Sequence, residues 1–366
     1  MKSVRNNIGF IVPGSFIPPT NGGERVSYDL CIALTRVAHV TCFSADPKVS
    51  IPETRQIQAF GSSKWKYLNV KLIKLFLESF RRHKIDFCVV NQPFFFFIPY
   101  LSGLLSGCKI ITYAHNLEFR RADQMRVYFR PFIFLIELIV FHLSHRVFFI
   151  SSIELTDAQR LFRLRQDKCV FVPHIAQSPP GTKLAKRDRP EDFSLVFFGD
   201  FSYPPNFSAL NNLLKFVVPI LSQTLTFRCS LVIFGKNLPS HLENQSLGSN
   251  LSIKFLGFIQ EASDILRSAD ALINLVDEGG GVQTKIIETL AVGTSVISSR
   301  SGVRGIDDET VKDKLYLVDD RDWEGFASCV CDLHKSGKAD LETPEQFFNT
   351  YSEDSILDRI THTLSP

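Results

Sequence analysis

The chain has 366 residues, enough at roughly 100–200 residues per domain for two or three self-contained cores. Its 45% apolar and 22% charged composition, with 20 Gly and 18 Pro, excludes disorder, collagen-like repeats and linker-like sequence. The net charge of +3 hides an asymmetry: residues 1–176 carry 23 Lys+Arg against 12 Asp+Glu, whereas residues 177–366 carry 18 against 26. That balance points the front half toward an anionic partner, a phospholipid surface or a phosphorylated substrate, and away from nucleic acid, because no RNA-binding signature, zinc-finger spacing or basic arm accompanies it.

Short β-rich apolar runs alternate with segments of helical periodicity, the pattern of parallel sheets with crossover helices. In the front half, strands are predicted near Ile8–Val12, Val40–Phe43, Phe87–Asn91, Lys109–His115, Arg146–Ser152 and Cys169–Pro173. In the back half they fall near Leu195–Gly199, Leu231–Gly235, Ile253–Gly257, Ala271–Asp277, Ser295–Ser299 and Leu315–Val318. This is an α/β chain with two Rossmann-like, doubly wound domains, 1–176 and 177–350, divided at the basic, Pro-containing stretch Ala176–Pro190. Residues 351–366 are expected to form a C-terminal helix that packs back on the first domain. Ligands of open α/β sheets bind beyond the carboxyl ends of the strands, so a cleft between two such domains is the expected site.

Other segments have plainer readings. The eight cysteines lie mostly in apolar runs without C-x-x-C spacing and read as reduced core residues of a cytoplasmic protein. The N-terminus lacks the apolar stretch and cleavage site of a signal peptide. Lys64–Lys84 has Leu68, Leu72, Leu75, Phe76 and Phe80 on one side and cations on the rest; it reads as a core helix with a basic outer face, or more sharply as a surface for anionic lipid. Asp320 and Asp322 form the one Asp-x-Asp, and Asp322 is read as a helix cap rather than a metal ligand. No metal site or cofactor is expected.

The most informative segment is Ala271–Arg300, a buried strand running into Gly279, Gly280 and Gly281 and then a helix ending at Gly293. Glycines let backbone approach a ligand, and a helix's first turn presents N–H groups with partial positive charge, so the amides following Gly281 (Val282, Gln283, Thr284) outline an anion pocket. Lys285 and Glu288, three apart, share one helix face. Lys285 can place a charge on a diphosphate, and Glu288 can accept from vicinal hydroxyls. A solvated ion pair on an ordinary helix is the competing reading of these two residues alone.

The string GGGVQTKIIETLAVGTSVIS resembles the donor-binding segment of family 4 retaining glycosyltransferases of the GT-B fold. Further similarities follow in order: the Gly-Gly loop and helix PPTNGGERVSYDLCIALTRVAHV, the "H-N-x-E" stretch ITYAHNLEFR, VFFISSIELTDAQRL followed by VFVPHIA, the "Y-P-P-N" opening FFGDFSYPPN, and IKFLGFIQEASDILRSADALINL. The resemblance implies transfer of a sugar from a UDP- or GDP-linked donor to a glycan or lipid-linked hydroxyl, in polysaccharide, lipopolysaccharide or glycolipid synthesis; the cysteines and N-terminus lead to the expectation of a cytoplasmic protein, and the basic front half to that of a peripheral contact with anionic membrane.

By that resemblance His115 and Lys285 are the catalytic candidates, His115 positioning the donor. Gly22 and Gly23 bring amides to the diphosphate, Glu288 holds the ribose, and Gly199 with the backbone at Gly257 and Phe258 lines the nucleotide. Asn116, Glu118, Tyr203 and Asn206 are weaker candidates. Two departures stand out. Gly280 occupies the position eight before Glu288 where the family carries a second glutamate, leaving Asp277 and Glu278 nearby but out of register. The usual cationic pair after the second domain's first strand is also missing, with Lys285 or Lys236 as substitutes. A nucleotide-sugar epimerase on the same fold and a non-catalytic two-lobed sugar- or nucleotide-binding protein are the alternatives.

Overall fold

The computed structural model describes residues 5–45, 51–61, 69–121, 127–177, 192–311 and 313–364. Most of the predicted linker and the start of the Lys64–Lys84 segment, Leu68 included, lie outside them. The chain divides into two compact units, Met1–Ile175 with Glu353–Pro366, and Ala176–Ser352.

The first unit is built on β1 (Asn7–Ile11), β2 (His39–Ser44), β3 (Thr54–Gln58), β4 (Phe87–Asn91), β5 (Lys109–Ala114), β6 (Arg146–Phe149) and β7 (Cys169–Phe171). Their spatial order is β3-β2-β1-β4-β5-β6-β7 with every pair parallel. The central strands are buried on both faces, as crossover helices on a parallel sheet require. The order reverses between β1 and β4, and at such a switch point the loops leaving the two strands diverge and open a crevice.

The second unit repeats the plan with β8 (Phe193–Phe198), β9 (Cys229–Phe234), β10 (Gln245–Leu247), β11 (Leu251–Phe255), β12 (Ala271–Asn274), β13 (Ser295–Ser299) and β14 (Leu315–Val318). The order is β10-β11-β9-β8-β12-β13-β14, with only β10 antiparallel. Alternation along β8 feeds two cores: Leu195 and Phe197 enter one, Val196 and partly Phe198 the other. Here the switch point lies between β8 and β12.

Two strands escaped the sequence reading, β3 (TRQIQ) and β10 (QSL). Both are edge strands, and β3 is at most half-buried, so pairing with one neighbour holds it in place of an apolar pattern. The helix predicted from Lys64 is described as Lys71–Arg82; it buries Leu72, Phe76 and Phe80 in the first unit's core and turns Lys71, Lys74, Arg81 and Arg82 outward. Its apolar side is therefore not available to lipid. Glu353–Leu364 is a helix burying Ile356, Leu357, Ile360 and Leu364, with Arg36 paired to Glu353 at 2.7 Å and the Arg359 guanidinium over the Phe171 ring. Asp322 caps the helix Trp323–Ser336, its carboxylate accepting from the Gly325 amide at 2.9 Å.

Candidate active site

At the switch point of the second unit, two loops leave the sheet: residues 199–203 after β8 and residues 275–283 after β12. Gly279 and Gly281 have φ of +101° and +82°, a backbone region that side-chain-bearing residues seldom adopt. A Cβ on Gly279 would lie 2.7 Å from the Tyr203 hydroxyl, so the Y-P-P-N segment and the glycine loop pack directly together. The helix Thr284–Ala291 follows. Gln283 is its N-cap and makes no side-chain cap. Among the described residues no acceptor meets the amides of Gln283, Thr284 and Lys285, so the first turn presents free donors.

Lys285 is the most unusual group of this unit. Its side chain, 7% exposed, turns to the end of β8, where Nζ donates to Phe198 O at 3.3 Å and Asn206 Oδ1 at 3.2 Å, with the Phe197 ring 5.7 Å away. Asn206 is oriented by donating through Nδ2 to Asp200 O at 3.0 Å. Burial lowers the ammonium pKa to about 7. A protonated ammonium has three donors and two are used here, leaving one for an arriving anion. Glu288, one turn along, is half-buried.

The remaining candidates sort by distance from this loop. Gly199 touches Asn206, whose amide nitrogen would be 2.9 Å from an added Cβ. Gly257 (φ +70°) has open space where a side chain would stand, and Phe258 beside it is exposed. Lys236 is half-buried at the turn after β9, its carbonyl accepting from the Phe201 amide. Val282 leans on the second unit's core, and Gly280 is half-buried in the loop. Asp277 and Glu278 are held by one guanidinium, Arg321, at 2.7 and 3.0 Å, and Arg304 donates to Gly279 O at 3.2 Å. The sequence reading passed over both arginines, and also Gly235, which abuts Gly199.

In the first unit, the helix Gly22–Thr35 opens with Asn21 accepting from the Glu24 amide, while Glu24 in turn accepts from Thr20 N and Oγ1. The amides of Gly22 and Gly23 have no acceptor among the described residues. His115 follows β5, and its Nε2 lies 3.2 Å from Asn91 Oδ1. Asn91 Nδ2 donates to Ile11 O, so its Oδ1 must accept, which makes His115 the donor and leaves Nδ1 with its lone pair. The Ser27 hydroxyl, 3.2 Å from both Asn91 Oδ1 and Gly23 O, ties the glycine turn to the histidine. Burial lowers the His115 pKa to about 4, so the ring is neutral at physiological pH.

Asn116 is half-buried and does not cap the short helix Glu118–Arg121, because the backbone donors there are met by two glutamates. Leu117 N donates to Glu154 at 3.2 Å, and Glu118 N and Phe119 N donate to Glu137 at 2.7 and 3.1 Å. Burial raises the Glu137 carboxyl to about 8. A carboxyl whose folded pKa is raised holds its proton in the folded state, so its stabilising share is complete below about 4.5 and is lost as pH rises through about 8. Glu137→Ala should lower stability by about 2–4 kcal/mol by orphaning two amides, and Glu137→Gln should lose less and flatten the pH slope. Thermal melts across that range check both.

Two family models match the chain: one described as Glycosyltransferase Family 4 over residues 20–175, the other as Glycosyl transferases group 1 over residues 192–336. The chain belongs to the group 1/family 4 glycosyltransferases. This glycosyltransferase has the GT-B fold, two Rossmann-like domains. Sucrose-phosphate synthase from Thermosynechococcus elongatus superposes with a TM-score of 0.71 at 16% identity, covering 98% of each chain. Anabaena HepE, in complex with UDP and glucose, gives 0.68 at 13% identity, again over 98% of each. A glycosyltransferase from Rickettsia africae gives 0.66 at 14%, over 98% of this chain and 97% of that one. Curated protein sequences provide no match to the glycosyltransferase. No helix among its described residues is long and apolar enough to cross a membrane.

Proposed function

We propose that this glycosyltransferase is retaining and metal-independent, taking a sugar from a nucleotide-diphosphate donor held on the second unit and passing it to a glycan or lipid-linked hydroxyl recognised by the basic first unit, at the cytoplasmic side of a membrane. The observation that carries the donor assignment is the buried Lys285 ammonium in the first turn of the helix after the glycine loop, a turn whose amides are unused among the described residues. Cleaving the sugar–phosphate bond builds negative charge on the departing diphosphate, and preorganised donors aimed at that charge lower the barrier. In this reading the amides of Gln283, Thr284 and Lys285 with the Lys285 ammonium receive the diphosphate, and Glu288 holds the ribose. His115, neutral and fixed in its tautomer, offers the Nδ1 lone pair to a sugar hydroxyl.

The proposal makes donor affinity depend on pH. With the free enzyme's Lys285 near 7, binding a diphosphate beside it draws in a proton above that pH. Affinity should then fall by up to about tenfold per pH unit above about 7, until the pKa of the complex is reached. Titration calorimetry with UDP- and GDP-sugars, in buffers of different ionisation enthalpy, measures both affinity and proton uptake. Binding without proton uptake, or no binding of any nucleotide sugar, would reject the assignment. Turnover without any acceptor would favour the epimerase reading.

A further inference from the structure

We propose that the outer faces of the helices Phe97–Ser106 and Arg130–Leu143 form a surface that seats on an anionic lipid bilayer. Both helices bury their inner residues in the same core, together with Lys71–Arg82, so the three cover one face of the first unit's sheet. What they turn outward differs. The exposed residues of Phe97–Ser106 are Phe97, Leu101, Leu104 and Leu105, with no polar group among them. On Arg130–Leu143 the exposed line runs Phe132, Leu135, Ile139 and Leu143 at helical spacing, the exposed polar residues Arg130 and His142 stand at the helix's two ends, and its only carboxylate, Glu137, is buried. Leu104 is 64% exposed and Phe132 61%. Scattered exposed apolar residues need no explanation, but two helices over one core, each with an apolar line outward, do.

Charge selects the occupant. At the C-terminal ends of these helices stand cations: Arg82 ends the first, Lys109 follows the second, and Lys168 donates to His142 O at the end of the third at 2.5 Å. Lys109, Arg146 and Lys168 lie close enough together to lower the pKa of His145, after its burial, by their shared field. At the other end of the apolar strip are the aromatic side chains of Phe94, Phe97, Tyr128 and Phe129. An apolar strip with Arg130 beside the aromatic residues at one end and a basic cluster at the other places cations at headgroup level at both ends, over acyl chains, as helices lying in the interface rather than across it require. The outer faces of these two helices carry no carboxylate that a second copy could offer to those cations, whereas an anionic headgroup does.

Vesicle flotation of the full chain tests this without reference to activity. Binding is expected to vesicles of phosphatidylcholine with phosphatidylglycerol, and to be at least about tenfold weaker to phosphatidylcholine alone. Leu104→Glu with Leu135→Glu should weaken partitioning by about tenfold or more while leaving the melting temperature unchanged, since both positions are exposed. Arg82→Glu with Lys109→Glu should abolish the preference for phosphatidylglycerol. The proposal is overturned if the wild-type chain ignores anionic vesicles or if the leucine variant binds them equally. Light scattering that shows a dimer dissolved by the leucine substitutions, without vesicle binding, would assign the surface to self-association instead.

Discussion

Lys285→Met is expected to cut turnover by roughly 100- to 1000-fold and, in the same protein, to raise the melting temperature. The first effect follows from removing the buried cation of the helix turn after the glycine loop; groups that stabilise developing charge in a desolvated site are typically worth that much. The second follows from the cost of burying it. The ammonium's folded pKa, about 7, lies below its ordinary 10.5, so the unfolded chain holds the proton more tightly between those values. Stability therefore rises with pH across that window, and the penalty is complete below about 7, where it is on the order of a few kcal/mol. Methionine matches the length of the stem and carries no charge. Its gain should be largest below about pH 7 and vanish above about 10.5.

Opposite signs on rate and stability distinguish a group kept for chemistry from one kept for packing. Lys285→Ala should lose turnover equally but, by leaving a cavity beside Phe197, should not show the full gain in stability. Initial rates with saturating donor and calorimetric melts at about pH 6 and about pH 9 are the measurements. A Met variant with near-normal turnover, or one less stable than wild type below about pH 7, would remove Lys285 from the role given to it.

How much of this was legible in the sequence depended on whether each signal was local. The central strands announce themselves because burial on both faces demands runs such as FSLVFF, whereas TRQIQ at a sheet edge carries no such demand. Lys285 was visible because it follows the three glycines within one short stretch of chain, in the first turn of the helix they lead into. Arg321 was not: it reaches Asp277 from 44 residues away, and only the sheet order β12-β13-β14 brings the two together. Asn91 and His115 come from neighbouring strands, and the tautomer they fix is a property of that pairing. The apolar surface shows the opposite failure. The lipid reading falls on the amphipathic KLIKLFLESFRR, whose apolar face the fold buries, while FIPYLSGLLS, too evenly apolar to show a face in the sequence, is left with one side uncovered.

Gly235→Ala is expected to destabilise the second unit by more than about 3 kcal/mol. Gly235 ends β9 with φ of +146°, outside the range side-chain-bearing residues favour, and an added Cβ would stand 2.0 Å from the carbonyl oxygen of Gly199. That neighbour is backbone, so no rotamer change relieves the overlap. Relief requires β8 and β9 to part at their carboxyl ends, where the Gly235 amide also donates to Gly257 O at 2.7 Å. Three adjacent strands thus end at glycines, 199, 235 and 257, and the backbone contact between the first two fixes where the Y-P-P-N segment and Asn206 begin. Because Asn206 holds Lys285, the damage should also reach the lysine. A melt should show the lowered transition, and any folded fraction should bind nucleotide sugar more weakly; a variant with the wild-type melting temperature would mean that the strand ends are not held against each other in this way.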